Sequence, residues 1–90
     1  MTVMNATAKR FTTTGACGVG RARLATIHVV ASGAARLTIA EGAAGPTKLD
    51  IDFGAAGTFT VDMPGDGIIF SQDPRIATLT AITSVNLIFI

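Results

Sequence analysis

Lys48-Leu49-Asp50-Ile51-Asp52-Phe53 and, after Gly54-Ala55-Ala56, Gly57-Thr58-Phe59-Thr60-Val61-Asp62-Met63 decide the fold class of this chain. In the first segment Leu49, Ile51 and Phe53 alternate with Lys48, Asp50 and Asp52. In the second, Phe59, Val61 and Met63 alternate with Thr58, Thr60 and Asp62. Successive side chains of a strand point to opposite faces, so each segment is a strand with one side on a core and one in water. The short glycine-bounded link between them predicts an antiparallel hairpin.

The same reading extends outward in both directions. Arg21 to Ser32 reads as a strand, with Ala25, Ile27, Val29 and Ala31 on one face and Leu24, Thr26, His28 and Val30 on the other. Its β-branched residues favour period two over a helical repeat. Gly33-Ala34-Ala35 predicts a turn, with Arg36–Ala40 returning as the hairpin partner and Leu37 and Ile39 inward. Pro46 argues against a central strand in the Glu41–Pro46 loop. Downstream, Pro64-Gly65-Asp66-Gly67 and Ser71-Gln72-Asp73-Pro74 are turns by composition, flanking a short buried strand at Ile68-Ile69-Phe70. Ile76 to Thr83 alternates weakly, and Ser84 punctuates. Val85, Leu87 and Phe89 then form an inward set, with Ile88 and Ile90 on the opposite side. A last strand that is apolar on both faces is either buried on both or meets another subunit.

At the other end, residues 1–14 have weak periodicity and read as an arm or an edge strand. Gly15-Ala16-Cys17-Gly18-Val19-Gly20 is a loop, and its glycine spacing fits neither a dinucleotide fingerprint nor a phosphate loop. No segment has a 3.6-residue pattern with an N-cap. The expected architecture is all-β: a small antiparallel β-sandwich of six to eight short strands over residues 21–90, preceded by an N-terminal arm and loop over residues 1–20.

Composition narrows the function classes. The chain has 90 residues, of which 49% are hydrophobic and only 14% charged, with no Trp or Tyr. About a quarter of the residues in an ordinary soluble domain are charged. A domain this small often supplements its core with disulfides, a metal or partners. Cys17 is the only cysteine and His28 the only histidine, which excludes an internal disulfide and leaves a structural zinc short of ligands. Self-association is what remains, and surplus apolar surface is its usual sign. No run approaches the roughly 20 apolar residues of a membrane-spanning helix. No export signal is visible, because Lys9, Arg10 and threonines stand where its apolar stretch belongs. The chain is therefore expected to be made and used from a cytoplasm.

Charge is asymmetric. Lys9, Arg10, Arg21, Arg23 and Arg36 are the only charged residues in the first forty. The remaining fifty carry six carboxylates against Lys48 and Arg75. Such asymmetry suits nucleic acid, an acidic partner, or one edge of a subunit meeting the opposite edge of its neighbour. The basic residues are spread among glycines and threonines and lack interleaved aromatics apart from Phe11, which disfavours nucleic acid.

Candidate chemistry is sparse. Asp50, Asp52 and Asp62 share a strand-face parity, but no calcium-loop spacing accompanies them. Nothing in their surroundings separates the pKa values of Asp50 and Asp52 as a glycoside-cleaving pair requires. His28 and Cys17 lack a third group to orient them and read as a satisfied structural histidine and a buried small hydrophobe. No catalytic, cofactor or metal residue is expected, and no small-molecule substrate.

Thr47–Phe53, Gly57–Ile68 and the ending Ala77-Thr78-Leu79-Thr80 … Ser84-Val85-Asn86-Leu87-Ile88-Phe89 together resemble small virion proteins of tailed bacteriophages. In those a leucine-aspartate strand, a glycine-threonine-aromatic strand, a proline-x-x-glycine-isoleucine turn and a closing hairpin follow one another. The resemblance covers about residues 22–90. It implies a jelly-roll-like sandwich serving as a head decoration or cement protein on the capsid surface. Such a protein binds as a trimer over junctions between major capsid subunits. On this reading Lys9, Arg10, Arg21 and Arg23 reach acidic capsid surface, while Ile88 and Ile90 bury against a partner. The competing expectation is a tail or fibre-associated module that binds host glycan, which the absence of Trp and Tyr disfavours.

Overall fold

A computed structural model describes residues 7–90. The described residues form seven strands and no helix: β1 (Thr7–Phe11), β2 (Gly15–Ala16), β3 (Ala22–Glu41), β4 (Thr47–Phe53), β5 (Gly57–Asp62), β6 (Ile68–Phe70) and β7 (Pro74–Phe89). All pairings are antiparallel. β7 lies between β3 and the β1/β2 segments, while β4, β5 and β6 follow one another along the far edge of β3.

The alternation read from the sequence holds, but two of the strands are not short. Residues 21–40 do not form a hairpin. β3 runs unbroken through Gly33-Ala34-Ala35, because its pairing with β7 resumes on the far side: Ala31 faces Ile82 and Arg36 faces Thr80. Gly33 adopts no positive φ. The Leu49–Phe53 and Phe59–Met63 segments do not pair with each other either. Ile51 faces Leu37 and Val61 faces Ile27, so both segments spend their hydrogen bonds on β3. The expected closing hairpin is likewise one strand, β7, with Ser84 buried inside it. Thr7–Phe11, within the segment read as an arm or edge strand, form β1, and Gly15–Ala16, read as loop, form β2, both against β7. The first six residues of the expected arm lie outside the described part.

A straight strand of twenty residues would span about 66 Å at ~3.3 Å per residue. The longest dimension of the molecule is 42 Å, so β3 must bend. The bends line up across the sheet. β3 turns at residues 32–34 and β7 at Ala81, whose φ of 55° is the one positive value at a described non-glycine residue. The far edge breaks at 54–56. Folding at these points gives two layers. The first holds β1, the C-terminal half of β7, the N-terminal half of β3, and β5 with β6. The second holds β2, the N-terminal half of β7, the C-terminal half of β3, and β4. The result is a small antiparallel β-sandwich built from one folded sheet.

With no helix available, each layer covers the other. Leu24, Ile27, Val29, Val85, Leu87, Phe89 and Phe70 from the first layer meet Leu37, Ile39, Ile76 and Phe53 from the second in one core. Leu24 joins Ile27 on the inner face, although they differ by three residues, because a bulge between Leu24 and Thr26 resets the alternation. Phe53 and Phe59 stack at 4.9 Å across the bend. Ser71 donates from its amide and hydroxyl to Glu41 Oε1, both at 2.6 Å. The fold is thus a filled sandwich, and every buried side-chain polar atom among the described residues has a hydrogen-bond partner.

The glycine loop is held by one carboxylate. Gly18, Val19 and Gly20 donate their amides to Asp73 at 3.0, 2.9 and 2.9 Å. Desolvation raises the Asp73 pKa, but the three amides and the nearby Lys9 outweigh it and hold the carboxyl below its ordinary value. Hydrogen bonds from Ser71 do the same for Glu41, and those from Arg36 for Asp50. Depressed carboxylates contribute stability above their unfolded pKa values, near 4, and lose it as pH falls through the folded values. Acid titration followed by circular dichroism should therefore show full stability above about pH 5 and progressive loss below pH 4. Asp73→Asn should cost about 1 kcal/mol at pH 7, a modest figure because the site is screened by solvent. It should also flatten the acid limb, and an unchanged limb would refute the role given to this carboxylate.

Candidate interaction face

Register sets out the outer surface of the first layer row by row. One row runs Ala8, Ile88, Thr26, Asp62, and the next runs Arg10, Asn86, His28, Thr60. Side chains directly opposite on neighbouring strands share a face, so these eight residues point away from the core. His28 Nδ1 lies 3.0 Å from Thr60 Oγ1, and Thr26 Oγ1 donates to Asp62 at 3.1 Å. His28 is therefore a surface histidine engaged with its cross-strand neighbour.

Towards one end the face changes character. Arg23 stands opposite Ile69, and the Ile90 amide donates to the Arg23 carbonyl at 2.8 Å. Arg21, Arg23, Ile69 and Ile90 line a shallow depression of about 230 Å³ floored by Ala22 and Phe70. Ile69 and Ile90 are 54% and 42% exposed, the large apolar side chains most open to solvent among the described residues. Ile69 had been expected to be buried within its strand. Its partner on β3 is Arg23 rather than a core residue, which fixes it to the outer side.

The structure therefore brings five of the six sequence-derived candidates to one face: Arg10, Arg21, Arg23, Ile88 and Ile90. Lys9 is the exception. It shares a row with Leu87 and Ile27, points to the inner side of the edge, and donates to the Cys17 carbonyl at 3.3 Å. Ile69 was missed, although its opposite parity to the inward Phe70 was a signal for it.

The second layer presents a different outer surface. Arg36 grips Asp50 through Nε and Nη2 at 3.1 and 2.8 Å and lies 3.9 Å from Asp52. At the margin Lys48 pairs with Glu41 at 3.8 Å. The acidic triplet expected on one hairpin is divided, since Asp62 belongs to the first layer. Charges on the second face are largely neutralised within the chain. Arg10, Arg21 and Arg23 on the first face make no ion pair among the described residues.

Cys17 is 2% exposed, and burial, with Asp73 nearby, pushes its thiol pKa up to about 11 against the opposing pull of Lys9. A thiol so held is a weak nucleophile. Among the described residues no cluster of three His, Cys, Asp or Glu side chains is placed to hold a metal. No described helix is long and apolar enough to cross a membrane. Comparison with family models, curated proteins and solved structures finds no match for this chain.

Proposed function

We propose that this protein is a non-enzymatic structural subunit of a tailed-phage particle. In this reading it is a decoration protein that self-associates as a trimer and stabilises the head by binding major capsid subunits. The observation that carries the reading is the contrast between its two outer faces. One is neutralised by its own ion pairs, while on the other Arg21 and Arg23 make no ion pair among the described residues and stand beside the exposed Ile69 and Ile90. Apolar side chains ringed by unpaired cations suit an acidic protein surface with aliphatic contacts, which buries the first and pairs the second. The resemblance of residues 22–90 to small virion proteins supplies the context, and the sandwich with its filled core supplies a rigid body for a mechanical role.

Binding only the assembled lattice would stabilise it by mass action. The protein would be made in the host cytoplasm and retained on the capsid surface. Quantifying it in purified particles of the phage that encodes it is the test. A copy number commensurate with the major capsid protein is expected. A copy number matching a tail ring or fibre would overturn the head assignment in favour of a tail or adhesion component. Absence from particles would overturn both.

A further inference from the structure

Two edges of the first layer are open among the described residues. β1 pairs only with β7, and β5 pairs only with β3. Open edges offer unpaired backbone donors and acceptors to another chain. We propose that copies of this chain join head to tail through these edges, β1 of one copy adding to β5 of the next and continuing the sheet. The proposal deepens the self-association in the functional reading by naming its interface.

Strand polarity permits it. Successive strands β1, β7, β3 and β5 alternate in direction, so β1 and β5 of one copy run opposite ways. Setting β1 of a neighbour beside β5 then extends the antiparallel alternation, whereas the stronger curvature of a closed ring needs only a rotation between copies. The strands also match in length, five residues against six.

Side chains on the two edges are complementary on both faces. On the inner side one row runs Phe11, Val85, Val29, Phe59. Phe11 and Phe59 are its half-buried ends, at the same level on opposite edges, while Val85 and Val29 between them are fully buried. Addition without a register shift places Phe11 of one copy beside Phe59 of the next, where an aromatic cross-strand pair would cover both and extend the Phe53–Phe59 stack. On the outer side Arg10 falls level with Thr60 and diagonal to Asp62, within the reach of a long side chain. Charge also selects the partner edge. Two β1 edges would set Lys9 and Arg10 against their own copies, while β5 carries Asp62 and no cation.

Sedimentation of the purified chain tests this, with circular dichroism to establish that each variant is folded. The wild type should form a discrete oligomer at micromolar concentration. Arg10→Glu and Asp62→Lys should each weaken association at least tenfold, and the double variant R10E/D62K should restore most of it. A position-specific readout follows from the geometry. Arg10 and Thr60 of one chain stand three strand spacings apart, about 14 Å, too far for a disulfide. Oxidised R10C/T60C should therefore give covalent oligomers and no intrachain bond. A folded wild-type monomer would overturn the proposal, as would association unmoved by both charge reversals. A monomer that still binds heads would sink this interface and leave the decoration reading intact. An edge-paired oligomer that never enters particles would do the reverse.

Discussion

Phe70→Ala is expected to remove about 3–5 kcal/mol of folding stability, the range for truncating a fully buried phenylalanine. Phe70 is 0% exposed and belongs to the three-residue β6, held to β3 opposite Ala22. Its ring closes the core at the end where the edge of the first layer meets the second, with Lys48 Nζ 5.5 Å from its centroid. So short a strand cannot collapse into the void, and the Ser71–Glu41 clasp beside it restrains the backbone. Domains of this size hold about 5–10 kcal/mol in total, so the loss is a large share of the fold. Thermal unfolding should fall by roughly 20 °C. Phe70→Leu, which keeps most of the volume, should lose far less. A variant that melts within about 5 °C of the parent would show that Phe70 is not a keystone of this core.

Gly67→Ala should cost about 2–4 kcal/mol although it lies outside the core. Gly67 has φ +94°, a region closed to residues with a β-carbon. A β-carbon there would also drive into the Leu24 carbonyl oxygen and meet Arg23 Cγ at 3.1 Å. Leu24 is fully buried at the bulge of β3, so the backbone it would push cannot yield cheaply. Gly65→Ala in the same turn is the matched control. Gly65 has φ +61°, in the left-handed region, and nothing lies within 4 Å of its missing β-carbon. It should cost about 1 kcal/mol from backbone strain alone. Equal losses in the two variants, read from denaturant midpoints, would refute the steric account.

The inward sets Leu49, Ile51 and Phe53, Phe59, Val61 and Met63, and Val85, Leu87 and Phe89 were legible because strand alternation is a local property. What escaped was which strand meets which. Gly33-Ala34-Ala35 and Gly54-Ala55-Ala56 look like turns by composition, yet small residues also serve where a long strand must bend without steric conflict. Composition does not distinguish reversal from bending, and the choice is made by hydrogen bonds to β7 and β3, tens of residues away. The site divided in the same way. Arg21 and Arg23 were visible as unpaired cations in sequence, but their meeting with Ile69 and Ile90 depends on β6 and the end of β7 both docking beside the start of β3. Lys9 parts from Arg10 because one residue of register decides which side of an edge strand a side chain occupies.

The position of β7 has a consequence for how the molecule is made. It follows all the other described strands in sequence yet lies between β1 and β3, pairing with the first and with nearly the whole of the third. During synthesis β1 therefore has no described partner until β7 has left the ribosome, and β3 has only one of its two. Such dependence on remote segments slows folding towards the millisecond-to-second range of non-local β topologies. Until that strand arrives, the nascent chain carries bare apolar edges, and crowding on a polysome sets a race between completing the fold and sticking to a neighbour.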